Sequence, residues 1–261
     1  MTGLAVLAAA EALAAGTAPD VYVLAGQSNM SGRGAIADLP APDRIADPRI
    51  ALYGNDGQWH PALDPLDDAT GQVDAVSADK QAAVGPGLPF ARTMLRTTRH
   101  SIALVPCAKG GSSIARWKPV PDRAALYGSC VARVREAGGH LAGMLWYQGE
   151  TDAETPLVDA AGWTAAFQQM TSAFRNDLAA PKLPIVIVQI ADRPRTDSDR
   201  YPSWTAIQDQ QVRPPLPCTA MVSAKGLPRN PDDLHLTTHA QRTLGPRLAA
   251  AMARLIAEGC R

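Results

Sequence analysis

The strongest constraint on the fold is an alternation of short apolar segments with longer stretches of helical periodicity. Continuous apolar, β-branched runs occur at residues 21–25, 102–106, 143–147, 185–190 and 220–223. Helical patterns lie between or after them, at residues 89–98, 123–137, 163–178, 204–212 and 238–257. Unbroken apolar runs are typical of strands buried on both faces of a parallel sheet. The alternation therefore predicts βαβ units and a three-layer α/β/α sandwich.

Length and charge limit the classes of partner. The chain has 261 residues, enough for one large domain, and its 25 basic and 25 acidic residues give a formal net charge of zero. No basic field is present to attract nucleic acid, and no apolar run approaches the roughly 20 residues that span a membrane. We expect one domain at residues 19–261 with neither a nucleic-acid nor a membrane partner.

Residues 1–18 form a separate, Ala- and Leu-rich leader. They end in the small residues G-T-A, as a signal-peptidase site does, but they lack a positive n-region and Glu11 interrupts the apolar stretch. We interpret the segment as a secretory leader or its remnant, which points to a secreted or periplasmic protein. A disordered or helical leader is the alternative, and it leaves a cytoplasmic location open.

The four cysteines show no C-x-x-C pair and no zinc-like spacing. Cys107 and Cys218 fall at predicted strand ends, which favours small buried thiols. Cys130 and Cys260 would be free to form a bridge if the protein is secreted. The sequence alone does not decide between these states.

Four polar motifs follow predicted strands. They are G-Q-S-N-M at residues 26–30, G-G-S at 110–112, Q-G-E at 148–150 and D-D-L-H at 232–235. Carboxyl ends of parallel strands meet at one edge of an open sheet, where such folds bind ligands. The long segments 31–88 and 191–203 are expected above the same edge, where they would shape a cleft.

The motifs supply the groups that ester hydrolysis by a serine requires. Ser28 follows the first strand on a glycine-started turn and is the candidate nucleophile, although a serine there also serves as a turn or helix cap. His235 is the candidate base. Asp232 lies three residues before it, a spacing that lets the two side chains face each other on a turn entering a helix; Asp233 fits that spacing less well.

Glycines and an amide supply candidate donors for an oxyanion. Gly110 and Gly111 allow a backbone N–H to approach a ligand closely, and the Gln148 side chain has an amide that can donate. For Gln148 the alternative is a buried amide that ties loops together. Gln27, Gly110 and Glu150 are expected to support the site, with Glu150 replacing Asp232 as orienting acid if the aspartate is misplaced.

A metal site is the alternative use of the histidine. His235 and His239 have H-x-x-x-H spacing, but Leu236 stands where a zincin has glutamate and no third ligand is evident. No metal or other cofactor is therefore expected.

Taken together, the blocks G-Q-S-N-M, G-G-S-S-I-A-R-W, W-Y-Q-G-E-T-D and D-D-L-H resemble those of the SGNH hydrolase superfamily. They are most similar to carbohydrate esterase family six and the sialate O-acetylesterase-like proteins, plant-type members above all. The resemblance extends over nearly the whole chain after about Asp20. It implies a flavodoxin-like sheet of five parallel strands.

The resemblance also implies an activity and the residues that perform it. The family serine corresponds to Ser28, the second-block glycine to Gly111 and the catalytic pair to Asp232 and His235, while Gln148 replaces the superfamily asparagine. The expected function is removal of O-acetyl groups from carbohydrates such as xylan, with the N–H groups of Ser28 and Gly111 and the Gln148 amide holding the oxyanion. Alternatives are a sialate O-acetylesterase, a broad small-ester esterase or an inactive carbohydrate-binding protein.

Overall fold

The protein is built around one seven-stranded sheet. The structure, a computed structural model, describes residues 18–76, 80–212 and 216–260. Its strands are β1 (Asp20–Gly26), β2 (Ile50–Tyr53), β3 (Trp59–Pro61), β4 (Ile102–Ala108), β5 (His140–Tyr147), β6 (Ile185–Gln189) and β7 (Thr219–Ser223). Its helices are α1 (Ser28–Ser31), α2 (Gly87–Met94), α3 (Leu126–Ala137), α4 (Leu157–Ala160), α5 (Trp163–Asp177), α6 (Trp204–Val212) and α7 (Thr238–Ala257).

The strands follow the order β3-β2-β4-β1-β5-β6-β7, and all neighbours are parallel except β3 against β2. The five predicted strands are present as β1, β4, β5, β6 and β7, but the sheet has seven strands and not five. The two additional strands lie at one edge of the sheet and have only 4 and 3 residues. Strands this short cannot contain the long apolar run from which the other five were predicted. Both lie within the long segment that the sequence analysis left without secondary structure.

The strand order determines where a ligand site can form. Counted by themselves in chain order, the five predicted strands run 2-1-3-4-5, which is the flavodoxin-like order. In such sheets the order reverses between the first and third of these strands, here β1 and β5, and a crevice opens beyond their carboxyl ends. Ser28 and Gln148 lie in the segments that directly follow β1 and β5.

Helices cover both faces of the sheet. Helices α2 and α7 pack together on one face, and α3, α5 and α6 cover the other. Buried rings fill both layers: Tyr22 of β1 meets Phe90 of α2 with ring centroids 5.0 Å apart, and Trp146 of β5 meets Trp117 at 5.1 Å. The five predicted helices agree with the structure to within a few residues because each presents one apolar face to the sheet.

The cysteines form two disulfides, Cys107–Cys130 and Cys218–Cys260. The prediction of buried thiols at Cys107 and Cys218 is therefore wrong, as is the pairing of Cys130 with Cys260. The reason is the packing of neighbouring elements. Helix α3, which contains Cys130, packs on β4 beside Cys107. Helix α7 packs on β7, which brings Cys260, just after the helix, close to Cys218, just before the strand.

The predicted leader falls on residues 1–17, which lie outside the described residues, and on Ala18. In the part of the chain that the structure describes, no helix is both long enough and apolar enough to cross a membrane.

Candidate active site

The turn after β1 places Ser28 at the edge of the sheet. Gly26 ends the strand with φ of +132°, and a Cβ atom there would lie 2.1 Å from the carbonyl oxygen of Tyr147. Only glycine can occupy that position, which lets β1 run directly alongside β5 to its last residue. Gln27 continues the contact by donating its N–H to the same oxygen at 2.8 Å. Ser28 then begins α1 with its side chain turned into a cleft.

A chain of hydrogen bonds runs from Ser28 to His235 and Asp232. The Ser28 Oγ lies 2.9 Å from the His235 Nε2, and the His235 Nδ1 lies 2.7 Å from the Asp232 Oδ2. Because the carboxylate can only accept, the ring nitrogen beside it is the donor, and the other nitrogen is left to accept the serine proton. The geometry has the form of a serine–histidine–carboxylate triad.

Asp232 is held by the backbone of its own turn. Its Oδ1 accepts the N–H groups of Leu234 at 3.0 Å and His235 at 2.9 Å. Partial burial favours the neutral acid, but the hydrogen bonds from His235 and Leu234 outweigh it and hold the pKa of Asp232 below its usual range. Asp233 points away and pairs with Arg229 at 2.8 Å, as its spacing from the histidine suggested.

Two residues that line the same cleft have backbone N–H groups without a protein acceptor in the described ranges. Gly111 adopts φ of +67° and lines the cleft with Gly110 and Ser28. Open space surrounds the position of a Cβ at Gly111, so its backbone conformation and not crowding is what favours glycine. Among the hydrogen bonds of the described residues, none is donated by the backbone N–H of Ser28 or Gly111. Both donors are therefore available to a ligand.

Gln148 is fully buried, and its amide is occupied by the protein. The Nε2 lies 3.0 Å from the carbonyl oxygen of Ser112, 3.3 Å from the Gln27 Oε1 and closer still to Asp152, while the Oε1 accepts the indole N–H of Trp163 at 2.9 Å. An amide nitrogen carries two hydrogens, so none is left for a ligand in this arrangement. The geometry matches the loop-tying alternative and does not supply the predicted oxyanion donor.

Asn29 is a site residue that the sequence analysis did not single out. Its Nδ2 donates to the Glu150 Oε1 at 2.7 Å, and its Oδ1 accepts the N–H of Leu236 at 2.9 Å. The side chain thus joins the serine turn to the loop after β5 and to the segment that carries His235. Its position next to Ser28 in G-Q-S-N-M was the available signal.

Glu150 lines the cleft but is only 2% exposed. Its Oε2 has no hydrogen-bond partner among the described residues. Burial raises the pKa of Glu150 to about 7, the hydrogen bond from Asn29 opposes that shift, and the charge of Asp152 adds to it. No hydrogen bond joins this carboxyl to His235 in the described part of the chain, so the structure places Asp232 and not Glu150 beside the imidazole.

The cleft itself has a volume of about 340 Å³. Both long segments contribute to it, as predicted, through Gln81 from residues 31–88 and Arg200 from residues 191–203. Arg200 is tied to Glu154 on the opposite rim at 3.1 Å. Within residues 18–76, 80–212 and 216–260, no group of three or more His, Cys, Asp or Glu side chains is arranged to hold a metal ion.

The family of the chain follows from its similarity to known proteins. The family model described as "Carbohydrate esterase, sialic acid-specific acetylesterase" matches residues 18–254. The chain therefore belongs to this carbohydrate esterase family.

Individual relatives agree with that assignment. A probable carbohydrate esterase of Arabidopsis thaliana is 35% identical over 249 residues, which cover 88% of this chain and 89% of the relative. The X-ray structure of an Arabidopsis thaliana protein superposes with a TM-score of 0.78 at 31% identity, over 94% of this chain and 100% of that one.

Two further structures share the fold. A carbohydrate acetylesterase from Xanthomonas citri gives a TM-score of 0.68 at 24% identity, over 92% of this chain and 57% of that one. NanS gives 0.67 at 21% identity, over 92% of this chain and 98% of that one.

Proposed function

We propose that the protein is a serine esterase that removes O-acetyl groups from carbohydrates through an acetyl-enzyme intermediate. The observation that carries the proposal is the hydrogen-bonded series Ser28–His235–Asp232 at the switch point of the sheet, with distances of 2.9 and 2.7 Å. Membership of a carbohydrate esterase family supports the substrate class. The presence of Ser28, His235 and Asp232 within hydrogen-bonding distance of one another argues against an inactive carbohydrate-binding protein.

The first half of the reaction forms the acetyl-enzyme. His235 Nε2 takes the proton of Ser28, whose Oγ attacks the carbonyl carbon of the acetyl ester. Asp232 remains ionised because its pKa is low, and it stabilises the imidazolium that forms. The imidazolium then gives its proton to the sugar oxygen, which leaves as a hydroxyl. In the second half, water attacks the acetyl-enzyme with the same histidine as base.

The oxyanion of each tetrahedral intermediate needs donors that are already in place. The backbone N–H groups of Ser28 and Gly111 fit that role because both residues line the cleft and neither N–H has a protein acceptor in the described chain. No step of this route uses a metal or another cofactor.

Two classes of acetylated carbohydrate are candidate substrates. Acetylated xylan is the expectation from the family-six resemblance, whereas the matching family description names sialic acid and so favours an O-acetylated sialic acid. The two disulfides support a secreted or periplasmic location, where an extracellular glycan would be the substrate.

Acetate release from acetylated xylan, O-acetylated sialic acid and acetylated glucose tests the proposal. We expect turnover of at least one of these and of p-nitrophenyl acetate. In Ser28→Ala the turnover should be lost while the thermal melt is unchanged, and a fluorophosphonate should label wild type only. A Ser28→Ala protein with near-wild-type activity would refute the nucleophile, and a wild type inert on every ester would refute the function.

A further inference from the structure

The hydrogen-bond partners of Gln27 show which end of its side-chain amide is the oxygen and which is the nitrogen. One end of the amide lies 3.2 Å from the N–H of Gly149, 3.4 Å from the N–H of Thr151 and 3.3 Å from the Nε2 of Gln148. Backbone N–H groups only donate, so this end must be the carbonyl Oε1. The assignment follows from the contacts, and it directs the NH2 group to the other side.

The Nε2 of Gln27 donates no hydrogen bond to any residue that the structure describes, in contrast to the fully occupied amide of Gln148. Gln27 lines the cleft, directly before Ser28 in the chain, while 98% of its surface is covered by protein. Unlike the Glu150 Oε2, the Gln27 Nε2 is not a fully enclosed atom without a partner, so the NH2 group reaches the cleft and is able to donate to a ligand there. The cleft beside the serine is where such a ligand would lie.

We propose that the Gln27 side-chain amide is the third donor to the acetyl carbonyl oxygen, acting with the backbone N–H groups of Ser28 and Gly111. The proposal rests on the esterase function argued above. It gives to Gln27 the role that the sequence analysis assigned to Gln148. The oxygen end, held by the loop after β5, would keep the NH2 group aimed before the substrate arrives, which is the condition for electrostatic stabilisation of the transition state.

The variant Gln27→Glu tests the nitrogen end of this side chain independently of the oxygen end. The variant keeps an acceptor for Gly149 and Thr151 but replaces the NH2 group with oxygen. We expect kcat and kcat/KM for p-nitrophenyl acetate to fall together by on the order of a hundredfold, with KM nearly unchanged, because the lost bond strengthens in the transition state. Phosphorylation of Ser28 by diethyl p-nitrophenyl phosphate, which forms a similar oxyanion, should slow in parallel.

Two measurements separate a lost donor from the effect of the added negative charge. A charge that perturbs only His235 would shift the acid limb of the pH profile and leave the alkaline plateau intact, whereas a lost donor lowers the plateau itself. The uncharged variant Gln27→Met removes the NH2 group without adding a charge that repels the oxyanion, and its plateau kcat should fall as well. A plateau kcat within threefold of wild type would overturn the proposal.

Stability supplies the remaining control. The melt is recorded at pH 5, where a buried carboxyl is largely protonated and the cost of burying its charge is small. No protein hydrogen bond of the NH2 group is lost in Gln27→Glu, so a melting temperature more than about 5 °C below wild type at that pH would also overturn the proposal, since it would mean that this group is bonded within the protein. A wild type that turns over no ester would instead refute the proposed function itself.

Discussion

Replacing Glu150 with glutamine should stabilise the protein in alkaline solution. The carboxyl is buried, and raising its pKa from 4.5 to about 7 makes its ionised form less favourable in the folded chain than in the unfolded one. At 1.36 kcal/mol for each pKa unit, the penalty is about 3 kcal/mol. The folded pKa is the higher of the two, so the penalty is absent below about pH 4.5, grows up to about pH 7 and is complete above that.

Glutamine cannot ionise, so it removes this penalty, and its side chain has nearly the same shape as that of glutamate. It retains an oxygen that can accept the bond from Asn29. Urea unfolding should therefore show Glu150→Gln about 3 kcal/mol more stable than wild type at pH 8.5, and within about 1 kcal/mol of it at pH 5. Glu154→Gln is the matched control, because Glu154 sits at the cleft rim in an exposed pair with Arg200 and should change stability by less than about 1 kcal/mol.

Two results would refute this reasoning. Glu150→Gln could be less stable than wild type at pH 8.5, or its gain could be the same at both pH values. Either would mean that the carboxylate is ionised and stabilised in the fold. The same variant tests whether Glu150 orients the histidine, since in that case its kcat would fall as far as that of Asp232→Ala.

Three further outcomes are expected. His235→Ala should lower kcat by about 10⁶-fold and Asp232→Ala by about 10⁴-fold, because the aspartate orients the base without transferring the proton; equal losses in steady-state assays would contradict these roles. Replacing both Cys218 and Cys260 with serine opens a loop with a sequence separation of 42 and should cost about 4 kcal/mol in urea unfolding, with kcat unchanged; unchanged stability would argue against that bond. Gly26→Ala should lower stability by more than about 2 kcal/mol and also lower kcat, because φ is +132° and the new methyl group meets a backbone oxygen; a wild-type melt and kcat would show that the turn is not needed.

The central part of the fold follows from local sequence signals. Each of the five long strands is a continuous apolar run because it is buried on both faces, and each large helix has one apolar side. Strands β2 and β3 carry no such signal, since they are short and β3 pairs only with β2 at the sheet edge.

Part of the site follows in the same way. Asp232 and His235 are three residues apart, so their contact depends on one turn that the sequence encodes locally. The orientations of Gln27 and Gln148 depend instead on which buried groups each amide meets after folding. The spacing of motifs cannot show which of two nearby glutamines has its nitrogen occupied. The prediction of the cysteine states was wrong for a related reason. Which cysteines pair depends on which helix packs against which strand.

The separation of the site residues along the chain bears on synthesis. Ser28 and His235 are 207 residues apart, and β1 pairs with strands from the middle of the sequence. Long-range parallel pairing forms slowly, and a nascent chain can build the turn of the proposed nucleophile well before the ribosome has made the proposed base. The proposed hydrolytic activity would therefore arise only at the end of translation, and a chain that terminates before the D-D-L-H turn would fold its central strands around a serine that lacks its histidine.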